Sequence, residues 1–509
     1  MLLCLAAGAI GALPYYFEKL FIFTFVSYIC LFIIVIKQKE KSNRAFAPFF
    51  AYYIGFFTPL YLFLSEIYPY SDFGFSKTQA IFVLICSCIA IPLLHAVVEA
   101  PLMSLFKIFR TDFSYMLGTA ALFVIGEWVL SLGTLALPWA ATSVSMTGFL
   151  PYLQTASIFG KYFITFITVF GCMGLALTLL RGRRIFAYIG AGALIFNLLF
   201  GYVIWLIPTE HGEEFTVAAI QGNVLSNEKW DKEANGSIFD RYISMAEEAA
   251  KNGADMILLP ESAIPQAFVP NGTMHKQFAR IANDYGVTVI AGVHYYDLNE
   301  NESYNAVIAV FPDGSGTLSE HYDKRHLVPF GEFMPFAETL SKWFPFIEAM
   351  NLSRTKLIEG DEPIVIETEY GGVGPLVCFD SIFPQFTREA VQNGADIIAV
   401  VTNDSWFNDS AGTYTHLRHS QIRAIENKRF ILRAANTGVS AFIDERGRKI
   451  TQTEPLVKDI AYSSAYTIEK TSFYCYVGDI FLYVSFLIMV CYSLLIIYYS
   501  FRSKNNGNN

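Results

Sequence analysis

The sequence predicts a multi-pass α-helical membrane domain joined to an α/β domain outside the lipid, and three observations carry that prediction. The chain is 53% hydrophobic and 16% charged, with a mean hydropathy of +0.39. A soluble domain carries about 25% charged residues, so part of this chain belongs in lipid. Its apolar residues gather into long separate runs before residue 208 and once more near the C-terminus. From residue 215 the pattern changes to short apolar stretches punctuated by turn residues. A length of 509 residues accommodates two or three such units.

The apolar runs predict membrane spans near residues 1–16, 18–36, 45–65, 79–98, 114–136, 161–180 and 185–207, with an eighth near 478–500. The first run lacks the basic flank of a signal peptide and is followed by further spans, so it reads as a retained helix. With eight spans, the basic clusters at 37–44, Lys107 with Arg110, 181–184 and 501–504 all fall on one side. The other side has only Lys19, Lys77 and Lys161 as isolated loop charges. Basic loops stay in the cytoplasm, which puts both termini there and residues 208–470 outside. The expected division is a membrane domain of about seven helices over 1–207, an extracytoplasmic domain over 208–470, and a final span with a short cytoplasmic tail over 471–509. A net charge of −9 leaves no electrostatic footprint for nucleic acid.

The outer segment alternates strands and helices. Strands are expected at 215–223, 255–262, 287–294 and 304–315, with helices at 240–254 and 274–286. After the strand that ends in "PLVCF" come a helix at 384–395, a strand at 396–404 and a helix at 417–429. Strands at 430–438 and 440–449 close the unit. This alternation predicts a sheet covered on its faces by helices. "NGADMILLPES" (252–262) and "NGADIIAVVTND" (393–404) echo one another, either through duplication or because such turns are generally alike. Both place polar groups (Glu261, Asn403, Asp404) at strand ends, where α/β sheets carry their chemistry.

Cys378, in "GPLVCFDSIFP", is the one cysteine between residues 208 and 470. That excludes a disulfide within the domain and leaves a cysteine-based zinc site short of ligands. Two readings stand: a small core residue, or a nucleophile with its thiolate favoured by the helix that begins at Pro384. No histidine sits at an obvious fixed offset, so the available base is a carboxylate and the available cation a lysine. Glu261 ends a buried strand behind Pro260 and reads either as a solvated charge or as a general base with a raised pKa. In "HYDKRHLVPFGEFMPF", Lys324 reads as a solvated turn residue or as the partner that Glu332, set among apolar residues, needs.

The order Glu261, Lys324 in "YDKRHLVPFGE", Cys378 in "GPLVCFDSIFP" resembles the carbon–nitrogen hydrolase (nitrilase) superfamily. More closely, "AAIQGNV" with Trp230, "PESAIP", "NDSWF", "RAIENKRFILRAANTGVSAFID" and the membrane stretch "GEWVLSLGTLALPWAATS" resemble the bacterial apolipoprotein N-acyltransferase family. The resemblance implies a nitrilase-like αββα sandwich with Cys378 as nucleophile, Glu261 as general base and Lys324 stabilising the tetrahedral intermediate. It implies supporting roles for Glu332, Asn305, Phe379 and Asp380, and sets Trp406 on a loop through which substrate reaches the site. Arg429 and Arg433 fall in a matching segment without an implied role. The implied reaction moves an acyl chain from a membrane phospholipid, through a thioester, to the α-amine of a diacylglyceryl lipoprotein, with no metal or organic cofactor. A membrane-tethered amidase, or transfer to another amine, is the second enzyme reading. Two stretches depart from the family pattern: Phe379-Asp380 replaces the usual Tyr-Glu, and "GTYTHLRH" (412–419) replaces a loop with Gly-Pro and Gln-His.

Overall fold

Each apolar run is helical in the computed structural model, which describes residues 1–42, 44–68, 76–229, 233–343 and 356–506. The membrane helices are α1 (Leu2–Tyr16), α2 (Ile22–Ser42), α3 (Phe46–Leu60), α4 (Lys77–Ile85) running on through 86–90 into α5 (Ile91–Met103), α6 (Asp112–Val129), α7 (Lys161–Arg181) and α8 (Arg184–Leu206). A last helix spans Ile480–Asn506. Among the described residues six helical stretches are long and apolar enough to cross a membrane: Ile22–Ser42, Phe46–Ile67, Lys77–Ile108, Lys161–Arg181, Arg184–Leu206 and Ile480–Ser500. The sequence reading had eight. The other two runs are helical but fall short: α1 has 15 residues, about 22 Å of helix against a hydrocarbon core of about 30 Å. α6 carries Asp112 and Glu127 and stops at Val129, before the expected end.

The bundle has a centre and two distinct ends. α7 is 72% buried over its apolar window, whereas α8 is 17% buried and presents Ile195, Leu199 and Val203 outward, as a lipid-facing helix does. At one end the basic turns converge. Arg181 pairs with Glu40 at 3.3 Å and with Asp112, and Lys39 donates to the Phe109 carbonyl. At the other end the α/β domain is seated. The Arg418 guanidinium donates to the carbonyls of Pro14 and Tyr15 at 2.8 and 3.0 Å, and the Lys161 amide donates to Glu426 at 2.8 Å.

Among the described residues thirteen strands build two sheets: β1 (Glu214–Gln221), β2 (Met256–Leu259), β3 (Ala267–Phe268), β4 (Thr288–Asp297), β5 (Glu302–Val310), β6 (Tyr322–Asp323), β7 (Ile366–Thr368), β8 (Gly371–Val377), β9 (Ile397–Thr402), β10 (Phe430–Ala435), β11 (Ala441–Ile443), β12 (Lys449–Gln452) and β13 (Asp459–Tyr466). The first has the order β13-β1-β2-β4-β5-β6 with β3 beside β4, the second β12-β11-β10-β9-β8-β7. Their middles, β1-β2-β4 and β8-β9-β10, are parallel. Parallel strands need cover on both faces. Val217 and Leu258 of one sheet meet Ile398 and Val400 of the other in a shared core. Helices α9 (Asn235–Lys251) and α10 (Thr273–Tyr285) cover the first sheet through Tyr242 and Ile281. Helices α11 (Pro384–Gln392) and α12 (Ala411–Asn427) cover the second through Val391 and Leu417, giving the αββα order. α12 is buried almost all round, because Ile422 and Ile425 on its far side pack into the membrane domain. β2 and β9, the strands of the sequence echo, hold matching central places in their sheets.

Three sequence readings are corrected. Residues 412–419 are not a loop but the first half of α12, whose start is capped by the Ser410 side chain accepting from the Gly412 amide. The stretch 440–449 is two strands, β11 and the start of β12, hinged at Gly447, whose φ of +81° needs glycine. β13 lies beyond the expected end of the unit. It pairs antiparallel with β1 at a sheet edge, and "DIAYSSAY" is too polar to announce itself as a buried strand.

Candidate active site

Strand ends bring the polar residues together, and the backbone there is strained. Ser262, Cys378 and Asp404, following β2, β8 and β9, have φ of +44°, +49° and +42°. Non-glycine residues held in this region cost about 1–3 kcal/mol each, and such strain concentrates at functional sites. Glu261 is seated by Gly292 of β4, where a Cβ would stand 2.7 Å from the Glu261 Cα.

Four side chains form a closed polar cluster. The Lys324 ammonium, 1% exposed, lies 3.1 Å from Glu261 Oε1 and 2.7 Å from Glu332 Oε2. The Asn305 amide bridges the same carboxylates, donating to Glu261 at 2.7 Å and to Glu332 at 2.8 Å. Glu332 also accepts from the Val328 amide at 2.8 Å, which fastens the 328–333 turn over the cluster. The sequence expectation of a raised Glu261 pKa is overturned. Burial pushes the carboxyl up, but Lys324, Asn305 and the buried Lys229 outweigh it and hold it below its usual value. Lys324 is driven well above its usual value, since the two carboxylates outweigh its own burial. At neutral pH the cluster therefore holds an ionised base ready to accept a proton, beside a fixed positive charge.

Cys378 stands at the start of a 3₁₀ turn (Cys378–Ile382). Burial, then the Glu261 carboxylate, push its thiol well above the ordinary range, against Lys324. The resting sulfur is protonated and must pass its proton to a base before it can attack. Asp380 finds its partners in the Lys324 segment. It accepts from Tyr322 Oη at 2.9 Å and from the His326 amide at 3.0 Å, tying the Lys324 segment to the cysteine turn. Phe379 is 5% exposed, stacked on His326 and edge-on to Phe383. Phe379 and Asp380 thus hold the turn in place. Burial raises the Asp380 carboxyl from 3.8 to about 7. A raised acid binds its proton more tightly in the folded state, so its contribution to stability is complete below about pH 4 and is lost as pH rises through about 7. Asp380→Asn is expected to flatten the fall of Tm across that window relative to wild type, measured by differential scanning calorimetry. A parallel fall in both proteins sinks this assignment.

Trp406 sits against the 328–333 turn, where a Cβ on Gly331 would stand 2.3 Å from its ring; Trp230 lies outside the described residues. Arg429 is spent on the backbone carbonyls of Ala395 and Lys470. Two contributions go beyond the sequence reading, which marks Asp404 as a strand-end polar group and gives Arg433 no role. Lys229, 5% exposed and lowered to about 8 by burial, bears electrostatically on Glu261 and Cys378. His416, Asp404 and Arg433 form a buried network under the cysteine, and a Cys378, an Asp404 and a His416 polar atom lie within 4.8 Å of one another. His416 is 38 residues from Cys378 on a different helix, and no local spacing signals it.

The αββα layers and the strand-end cluster define the α/β domain as a carbon–nitrogen hydrolase, and the model of that family matches residues 216–464. The model of the apolipoprotein N-acyltransferase N-terminal domain matches residues 7–174. An apolipoprotein N-acyltransferase of Geobacter metallireducens is 32% identical over 68% of this chain and 67% of its own, and one of Pasteurella multocida is 28% identical over 81% and 80%. Among solved structures, Saccharomyces cerevisiae Nit3 of the nitrilase superfamily aligns with a TM-score of 0.40 and 19% identity, over 50% of this chain and 91% of its own. The chain belongs to the apolipoprotein N-acyltransferase family, membrane enzymes of the carbon–nitrogen hydrolase superfamily.

Proposed function

We propose that this enzyme transfers an acyl chain from a membrane phospholipid, through a thioester on Cys378, to the α-amine of the N-terminal S-diacylglyceryl-cysteine of lipoproteins. The observation that carries it is the buried Glu261–Lys324–Glu332–Asn305 cluster beside a strained cysteine, in a domain seated on one end of a membrane bundle. Glu261 takes the thiol proton as sulfur attacks the ester carbonyl, and Lys324 offsets the charge on the tetrahedral oxygen. When the C–O bond breaks, Glu261 returns the proton to the departing lysophospholipid oxygen. The acceptor ammonium then gives one proton to Glu261. Its nitrogen attacks the thioester, the C–S bond breaks, and the sulfur takes the second nitrogen proton as the amide forms, after which Glu261 releases the ammonium's proton to solvent and is ionised again.

In this reading residues 1–207 and 471–509 hold the enzyme in the bacterial cytoplasmic membrane, and 208–470 face outward. Support comes from the basic turns gathering at the end of the bundle opposite the α/β domain. Purified protein incubated with acyl-labelled phospholipid is expected to carry a hydroxylamine-sensitive label. A diacylglyceryl peptide with a free amine is expected to discharge that label as amide, much faster than water does. No label on wild type, or discharge by water as fast as by peptide, overturns the reading.

A further inference from the structure

The network beneath Cys378 has a protonation state written into its geometry. His416 Nδ1 lies 2.7 Å from Asp404 Oδ1, and Nε2 lies 3.1 Å from the Cys378 carbonyl oxygen. A carbonyl only accepts. The neighbouring Ser381 hydroxyl, 3.1 Å from Nε2, spends its own proton on the same carbonyl at 2.7 Å. Every partner of Nε2 therefore calls for a ring N–H. At Nδ1, a carboxylate oxygen at 2.7 Å likewise calls for N–H, and outweighs the Arg433 guanidinium at 3.2 Å. A ring donating at both nitrogens is an imidazolium.

We propose that His416 is a positioning residue for acyl transfer: a buried imidazolium, locked by Asp404, that clamps the Cys378 carbonyl in its strained conformation and sets a positive charge under the sulfur. This rests on Cys378 being the nucleophile.

The surroundings fit a held cation. His416 is 1% exposed. Asp404, fully ionised through His416 and Arg433 despite its burial, accepts from Thr402 and His416 on one oxygen and from Arg433 at 2.7 Å on the other. Trp139 of the membrane domain lies 5.8 Å from the ring between centroids, tilted at 36°, and Phe407 meets it edge-on at 6.5 Å. An indole face stabilises a cation at that separation. His419, one turn further along the same helix, is pushed well below its usual value by burial and by Arg423 and Lys161. It donates to the Trp139 carbonyl, and so stays neutral and leaves the charge with His416. Through Trp139, the membrane domain closes the back of the active site.

The test reads ring protonation and thiol acidity separately from lipid chemistry. In detergent-solubilised wild type labelled with ¹⁵N-histidine, both His416 nitrogens are expected at imidazolium shifts at the pH of the transfer assay. His416→Gln keeps one N–H for the Cys378 carbonyl and removes the charge. In that variant, iodoacetamide is expected to alkylate Cys378 about tenfold more slowly at pH 7.5, with the pH midpoint moved up by about one unit. The same variant is expected to lose kcat while KM for the peptide acceptor stays within about threefold. A neutral His416 ring in wild type overturns the proposal whether or not the variant folds. So does an unmoved alkylation midpoint in a folded variant. Alkylation needs no acyl donor, so a failure of the acyl-transfer reading is seen apart from a failure of this one.

Discussion

Cys378→Ala is expected to abolish acyl transfer, by a factor of at least about 10⁴, and to leave no hydroxylamine-sensitive label, because no other group at the site can carry the acyl chain as a thioester. The next cysteine along the chain, Cys475, is buried against Ser472 and Asn427 near the start of the last membrane helix. The variant is expected to fold, since the Cys378 backbone is held from outside: its carbonyl by Ser381 and His416, its turn by Asp380. Equal Tm with lost transfer is the expected pair of measurements. A label on the alanine variant equal to that on wild type ends the nucleophile assignment.

Lys324→Met is expected to damage stability as well as rate. Removing the ammonium leaves Glu261 and Glu332 facing one another behind the single Asn305 amide. Breaking a buried ion pair by deleting one partner costs about 3–5 kcal/mol, which for a domain of this size lowers Tm by on the order of 10 °C. Transfer is expected to fall a further ~10²–10³-fold for want of charge at the tetrahedral oxygen. The double variant Lys324→Met/Glu261→Gln separates the two effects. Removing one carboxylate should recover part of the Tm and none of the transfer. Recovery of transfer in the double variant, or a Lys324→Met protein as active as wild type, contradicts the role given to Lys324.

The membrane runs and the alternation of strand and helix were legible because each is a local signal, whereas Glu261, Lys324 and Cys378 each left a bland reading open and were singled out by their order along the chain and its resemblance to a known family. Long apolar runs mark spans, short ones mark buried strands, and a carboxylate or thiol closing such a strand stands out against its neighbours. Asp380 shows the limit. The sequence placed it beside the nucleophile, but only the fold shows that its carboxylate turns toward Tyr322 and His326 and ties two segments together. The polar residues of 412–419 carry the pattern of a loop and hide a helix that is buried almost all round. Those residues, His416 and Arg418 among them, find partners in the second sheet and in the membrane domain.

By itself the sequence determined that long apolar runs flank an alternating α/β segment, and the order of Glu261, Lys324 and Cys378 along it, since hydropathy, periodicity and residue type act over short spans. The tertiary structure alone decided that Glu261 is ionised rather than raised, that Asn305 joins the two carboxylates, and that His416, Asp404 and Arg433 meet under Cys378. These outcomes depend on distances between residues tens to hundreds of positions apart. In a buried site the sign of a pKa shift is set by whether a partner charge stands within hydrogen-bonding reach, and only the packing of two sheets against a membrane bundle fixes that.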